Sequence, residues 1–127
     1  QDYETGIKLL KLAAENGNHY AQYDLGGLYN KGKGVKRDRK AGAKWIKLSA
    51  EQGYNWAQLA MATIYKDGRG VIQDNIYAHM WGNIAASNGL AYAGEIRDEV
   101  ADRMHHSEIA EAQKLARECV RKNYKGC

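Results

Sequence analysis

The feature that most constrains the fold is an internal repeat with a period of 36 residues. Residues 21–35, AQYDLGGLYNKGKGV, align without a gap with residues 57–71, AQLAMATIYKDGRGV, and the match continues to Trp45 with Trp81. A period of this length is typical of solenoids, in which a unit buries its apolar face only by stacking on its neighbours. The chain is therefore expected to fold as an array of similar modules.

Each module has the pattern of a helix pair. Apolar residues recur three or four positions apart, which places them on one helical face. Gly32 and Gly53 stand where a helix should end, and Asp38 is a suitable N-cap for the second helix of the module. We predict no sheet and six helices, followed by a seventh, terminal helix, at 3–15, 19–31, 38–52, 55–67, 74–88, 91–104 and 107–122.

The predicted core consists of small and aliphatic residues with aromatic wedges. In the first helix it comprises Ala21, Leu25, Leu28 and Tyr29, and in the second Ala41, Trp45, Leu48 and Ser49. Trp45 and Trp81 are expected to be the largest core residues of their modules. Gly26, matched by Ala62, is costly within a helix, so we expect it to mark a close approach of two helices. In the terminal helix, Ser107 is the predicted cap and Val120 a predicted core residue.

These positions resemble the Sel-one-like repeat (SLR) family, which is related to the tetratricopeptide repeat. The resemblance rests on Ala21, Leu25-Gly26, Tyr29, Gly32-x-Gly34-Val35, Asp38, Trp45, Ala50 and Gly53, and on their copy 36 residues later. Gly42 replaces the usual alanine, which Ala78 restores in the second copy. Residues 116–127 resemble the C-terminal cap of bacterial SLR proteins.

The resemblance implies an all-α fold, a right-handed α-α superhelix in which antiparallel helix pairs form a solenoid. Residues 1–127 would then be a single solenoid domain. It would comprise the second helix of a truncated repeat at 2–17, repeats at 18–53 and 54–89, and divergent capping helices at 90–127. The opening residues lack both a signal peptide and Met, which suggests a processed or trimmed product.

Cys119 and Cys127 are the only cysteines, and we favour a disulfide between them. A disulfide would indicate a periplasmic or secreted bacterial protein, whereas two free thiols would suit the cytoplasm. We expect no metal and no cofactor, because a closed zinc site requires four ligands. Asp98, Asp102 and the segment 105–107 are interpreted as a helix connection rather than a hydrolytic centre.

The remaining patterns argue against nucleic-acid and membrane functions. The basic residues between Lys31 and Lys47 are interpreted as a solvated surface, since no nucleic-acid motif accompanies them, and we expect no nucleic-acid partner. No apolar run reaches the ~18 residues of a membrane span. The Gly32-x-Gly34 motif recurs in each module and is therefore architectural rather than a phosphate-binding loop.

The SLR resemblance implies a scaffold or adaptor that binds a protein or peptide on the concave face of the solenoid. The expected binding positions are Tyr20, Tyr23, Gly27, Asn30, Trp56, Leu59, Thr63, Lys66, Tyr92, Glu95 and Glu99. Tyr20, Trp56 and Tyr92 recur at one repeat position, either as an exposed row or packed between modules. The alternative is a β-lactam-binding or β-lactam-hydrolysing enzyme of a cysteine-rich SLR branch, although residues 2–93 contain no cysteine.

Overall fold

A computed structural model describes residues 3–127, and over this range the chain forms seven α-helices and no strand. Residue 2, with which the predicted truncated repeat begins, lies outside the described residues. Every predicted helix is present, and the largest difference is the end of the sixth. The helices are α1 Tyr3–Glu15, α2 His19–Lys31, α3 Arg39–Ala50, α4 Asn55–Asp67, α5 Asn75–Ser87, α6 Ala91–Ala101 and α7 His106–Arg121.

The same local signals delimit the helices of both modules. The Asp38 and Asp74 side chains each accept a hydrogen bond from a backbone N–H three residues later, at 3.1 Å, as N-caps do. Gly32 and Gly68 follow α2 and α4 in the left-handed region, each with a φ of 70°. A residue with a Cβ would be strained there, so the repeated glycines fix both helix ends.

Consecutive helices pack against each other from α1 to α6, and α7 packs against α5. The closest approach within the first module lies between α2 and α3. A Cβ added to Gly26 would lie 2.5 Å from Ile46 Cγ1 and 2.8 Å from the carbonyl oxygen of Gly42. Such distances are shorter than van der Waals contact, so the prediction of a close helix approach at Gly26 is confirmed.

A buried glutamine near the start of α2, and its counterpart in α4, tie each of these helices to the one before. Gln22 Nε2 donates to the Ala14 carbonyl at the end of α1, and Gln58 Nε2 donates to the Ala50 carbonyl at the end of α3. Both distances are 3.1 Å. Each carbonyl also accepts a backbone N–H from just beyond its helix, that of Gly17 or Gly53 at 3.0 Å. A carbonyl oxygen can accept two hydrogen bonds, so each glutamine adds a second bond that links two neighbouring helices.

The two tryptophans are not equivalent, contrary to the prediction. Trp81 has no exposed surface (0%) and lies in the main hydrophobic cluster with Met61 and Ile84. Trp45 is only partly buried and packs against a smaller cluster, while the neighbouring Ile46 enters the main core. The reason is that α7 covers α5 from a further side, whereas α3 packs chiefly against α2 and α4.

Further positions differ from the predicted pattern for the same kind of reason. Leu48 and Val120 are exposed, because no helix covers their faces of α3 and α7. Ser107 is not the N-cap of α7, which begins one residue earlier after His105. The backbone N–H of His105 instead donates to the Glu108 side chain at 2.8 Å, so an acidic residue in the first turn takes over part of the capping.

The C-terminal tail folds back and is joined to α7 by a disulfide between Cys119 and Cys127, which confirms the predicted pairing. The Gly126 N–H donates to Glu51 Oε2 at 2.9 Å, and the Tyr124 hydroxyl accepts from Asn88 Nδ2 at 3.3 Å. Tyr124 adopts a left-handed φ of 68°, which a side chain disfavours. The covalent link therefore holds a strained turn against the ends of α3 and α5.

The difference between the tryptophans generates a prediction. Trp81→Ala should lower the free energy of unfolding by about 3–5 kcal/mol, because it opens a large cavity in the core. Trp45→Ala should cost only about 1–2 kcal/mol, since solvent already reaches that side chain. Urea denaturation followed by far-UV circular dichroism measures both values. Equal losses in the two variants would contradict the unequal burial.

The disulfide generates a second prediction. Reducing it should lower stability by at most about 2–3 kcal/mol, because the loop that it closes is short. The loss should be local, so amide hydrogen exchange should accelerate in residues 119–127 and remain unchanged in α2. A Cys119→Ser/Cys127→Ser variant serves as the control and should be insensitive to reductant. Uniformly faster exchange throughout the chain would contradict a local role.

Candidate protein-binding groove

Three aromatic side chains at the same repeat position are exposed to solvent. Tyr20 is 58% exposed, Trp56 48% and Tyr92 61%. They lie in the first turns of α2, α4 and α6, one position before a buried alanine in each helix. All three rings are therefore exposed to solvent, although Tyr20 also contacts Tyr54 of the following module.

Two adjoining cavities lie along the exposed sides of α2 and α4. The larger has a volume of about 640 Å³ and the smaller of about 300 Å³. Five residues line both cavities, which makes them one continuous depression, hereafter the groove. These shared residues are Tyr23, Asn30, Ile46, Ala60 and Arg69.

The groove brings together most of the positions expected to bind a partner. Tyr23 and Asn30 line both cavities, Gly27 lines the larger, and the smaller is completed by Trp56, Leu59, Thr63 and Tyr92. Trp56 and Tyr92 thus share one cavity although they are 36 residues apart in the chain. Large exposed aromatic side chains around a depression are the usual anchors of protein interfaces.

Other expected positions lie outside the groove. Tyr20 packs instead on the rings of His19 and Tyr54, at centroid distances of 4.1 and 5.1 Å. Glu95 is exposed on α6 and lines neither cavity. Lys66 Nζ lies 3.6 Å from Glu99 Oε2, a partly exposed ion pair that links α4 to α6.

Two polar side chains that line the groove differ in what they offer a ligand. The Oδ1 atom of Asn30 is buried against Gly42 of α3 and has no hydrogen-bond partner among residues 3–127, so it is not accessible from the groove. Burial, and then the negative charge of Asp24, raise the pKa of the Tyr23 phenol above its ordinary value of 10.0. Tyr23 therefore keeps its proton at neutral pH and can donate a hydrogen bond.

The larger cavity is markedly cationic. Its lining includes four basic residues and a single carboxylate, that of Asp24. The basic residues are Lys31, Lys33, Arg39 and Arg69. The sequence shows the basic stretch but not the cavity, because basic residues on a solvated loop and on a groove wall look alike in sequence. One signal was present: Lys33 and Arg69 are both basic at the same repeat position.

Other side-chain chemistry in the described part of the chain is sparse. Residues 3–127 contain no group of three or more His, Cys, Asp or Glu residues arranged to hold a metal ion. Within the same range, no helix combines the length and apolarity needed to cross a bilayer. Asp98 pairs with Arg97 at 3.0 Å, and this hydrogen bond holds the pKa of its carboxyl below the ordinary range.

The sequence and the structure are both similar to known proteins. A sequence profile of the Sel1 repeat matches residues 1–18, 19–54 and 57–90. Among solved structures, c5321, a protective antigen of uropathogenic Escherichia coli strains with an SLR fold, superposes with a TM-score of 0.90 at 28% identity over 95% of this chain. A Sel1 repeat protein from Oxalobacter formigenes gives 0.69 at 35% identity over 73% of it. No curated protein matches the sequence.

The chain spans only part of the length of these relatives. It covers 27% of the Escherichia coli antigen and 27% of the Oxalobacter formigenes protein. The similarity therefore describes a helical-repeat array and leaves the activity of a whole protein undetermined.

The buried histidine of α5 generates a prediction about pH. Burial, followed by the Arg97 charge, lowers the pKa of His79 below its ordinary value of 6.5, although Asp98 opposes the shift. Between the folded pKa and about 6.5 the unfolded chain binds more protons, so the free energy of unfolding should fall as the pH falls through this window. Urea denaturation between pH 7.5 and pH 5 measures the slope.

His79→Ala should flatten this slope, and the corresponding position of the preceding module is Ala43. His106→Ala, at an exposed histidine, is the matched control and should retain the wild-type slope. The same slope in His79→Ala and in the wild type would contradict the assignment to His79.

Proposed function

Because the chain belongs to the Sel1 repeat family, we propose that it is an interaction scaffold that binds an extended segment of a partner protein in the groove. The observation that carries the proposal is the pair Trp56 and Tyr92, both exposed and both lining one cavity. A folded chain gains nothing by leaving such rings in water, whereas burying one against a partner contributes about 1.5–3 kcal/mol.

The shape of the surface supports a peptide rather than a small molecule as occupant. The groove is open, runs across two modules and presents apolar, polar and charged side chains in succession. In a stacked array of helix pairs, the first helices line the inner curve, and such extended concave surfaces accommodate chains. We propose that residues 1–127 form one such solenoid domain and that their groove is part of the binding surface.

The enzymatic alternative has no comparable support. The cysteine-rich branch carries cysteine pairs within its modules, whereas the disulfide of this chain joins α7 to the tail. The titratable residues that line the groove are lysines, arginines, tyrosines and one aspartate. The lining includes no cysteine that could act as a nucleophile and no histidine that could act as its general base.

We further propose that the protein works in an oxidising compartment, the bacterial periplasm or the outside of the cell. The Cys119–Cys127 disulfide supports this placement, because such bonds persist where thiols are not kept reduced. Alkylation of the protein in freshly lysed source cells, followed by intact mass, tests it. Two alkylated cysteines without added reductant would contradict the placement.

Selection from an unbiased random-peptide library tests the scaffold proposal. Peptides that bind the immobilised wild-type protein are synthesised with a fluorophore, and their dissociation constants are measured by fluorescence anisotropy. The Trp56→Ala/Tyr92→Ala double variant should bind them at least about tenfold more weakly, which corresponds to ~1.4 kcal/mol. Trp56 and Tyr92 are better test positions than Leu59, because Leu59 packs partly against the core. Replacing Leu59 by Asp would therefore disturb folding as well as binding.

The matched control is Ile72→Ala, which removes an apolar side chain that is 90% exposed and lies outside the groove. It should bind the selected peptides like the wild type, and circular dichroism should show the same helix content in all variants. Undiminished binding by a folded Trp56→Ala/Tyr92→Ala variant would place the interface elsewhere.

A further inference from the structure

The cations of the larger cavity are only partly neutralised by the protein. Lys31, Lys33 and Arg39 form no ion pair within residues 3–127, Arg69 pairs with Asp67 at 3.4 Å, and Asp24 is the one carboxylate in the cavity wall. Like charges on a concave wall of low dielectric reinforce one another and concentrate anions from solution. The cavity therefore has an unmet preference for negative charge.

The repeat itself does not require this charge. The module that follows has Asp67 in place of Lys31 and Asn75 in place of Arg39, yet it forms an equivalent helix pair with the same glycine C-cap and aspartate N-cap between the helices. Gathering cations on one surface costs stability through mutual repulsion. A cluster of like charges that the architecture does not require points to a ligand.

The positions of the neighbouring groups indicate how such a ligand would lie. Arg69 lines both cavities, so the cationic part of the groove continues directly into the part that contains Trp56 and Tyr92. An occupant would therefore be an extended chain with anionic groups at one end and apolar side chains at the other.

We propose that the groove binds an acidic peptide segment. Its aspartate or glutamate carboxylates lie among Lys31, Lys33, Arg39 and Arg69, and apolar side chains a few residues away lie against Trp56 and Tyr92. This proposal rests on the proposed scaffold function and specifies the partner of that site. Guanidinium and ammonium groups bind carboxylates through charge-assisted hydrogen bonds, which are stronger than neutral ones.

The charge distribution favours a peptide over a nucleic acid. A single-stranded nucleic acid carries a phosphate at every nucleotide and would need cations along the whole groove. Arg69 is the only basic residue that lines the smaller cavity, and Glu95 is exposed on the adjoining helix α6. A uniformly anionic chain would be repelled there, whereas a peptide can change from acidic to apolar along its length.

The test uses two fluorescein-labelled synthetic peptides of about ten residues. One has alternating Asp and Glu at one end and two leucines at the other, and its partner has Asn and Gln in place of the acids. By anisotropy in low salt, the acidic peptide should bind the wild-type protein at least about tenfold more tightly. This preference should shrink in high salt, because counterions screen charges over about 10 Å at 0.1 M ionic strength.

Variants of equal charge locate the site. Lys33→Glu/Arg39→Glu should weaken the acidic peptide by about tenfold or more and leave the amide peptide unchanged. The fold should be retained, because both positions are exposed and a glutamate in the first turn of α3 is favourable for the helix dipole. Lys8→Glu/Lys114→Glu changes the net charge equally at exposed positions outside the groove and should bind like the wild type.

Three results would overturn the proposal: equal binding of the two peptides, equal losses in the two double variants, or tighter binding of an oligothymidylate of the same charge. The fate of the scaffold function can be read separately. If both peptides bind equally and both still require Trp56 and Tyr92, the acidic specificity fails while the scaffold function stands. If neither peptide binds, and library-selected peptides bind independently of Trp56 and Tyr92, both fail.

Discussion

The structure depends on a buried amide that joins the end of one module to the start of the next. Gln58 is completely buried, donates to the last carbonyl of α3 and accepts from Asn88 Nδ2 at 2.7 Å. Gln22 does the same one module earlier, where Gln52 is its donor at 2.8 Å. Removing the donor Asn88 would leave the buried Oε1 of Gln58 unpaired, at a cost of about 1–3 kcal/mol. The amides therefore fix the register between modules, which apolar packing alone would leave free to slide.

This register is what creates the groove. Because the modules are related by a constant offset, Trp56 and Tyr92 occupy equivalent places on successive helices and meet at one cavity. Tyr20 has the same repeat position but different neighbours, because its ring packs against Tyr54 of the following module. A strictly repeated backbone thus supports a surface whose chemistry changes along its length, from cationic beside α2 to aromatic and weakly acidic beside α6.

The features that could be predicted from sequence are those encoded within a few residues. Asp38, Gly32 and the helix periodicity act locally, so the helices were placed correctly. Glycine is unfavourable within a helix, so Gly26 indicated a close contact between helices. Trp45 and Val120 were placed wrongly because their burial depends on which distant helix covers them. Gln22 and Gln58 were visible as repeated residues, but their role requires knowing that α1 ends beside α2 and α3 beside α4.

The candidate site was predictable to a similar degree. The aromatic positions followed from the repeat, whereas their exposure depended on how far each helix rotates toward its neighbour. Lys31, Lys33 and Arg39 were seen as one basic stretch, but only the fold shows that they surround a cavity with Arg69, which comes from the next module.

The amide links also make the modules interchangeable parts. The joints before α2 and α4 carry the same hydrogen bond from a glutamine to a carbonyl, whereas Gly94 has the equivalent position in α6. Duplication or deletion of the 36-residue unit between these two joints would keep this hydrogen bond at the seam. Such an event changes how many exposed aromatic positions the array contains. The length of partner that the array accommodates is therefore free to change by gene duplication, independently of the residues that keep it folded.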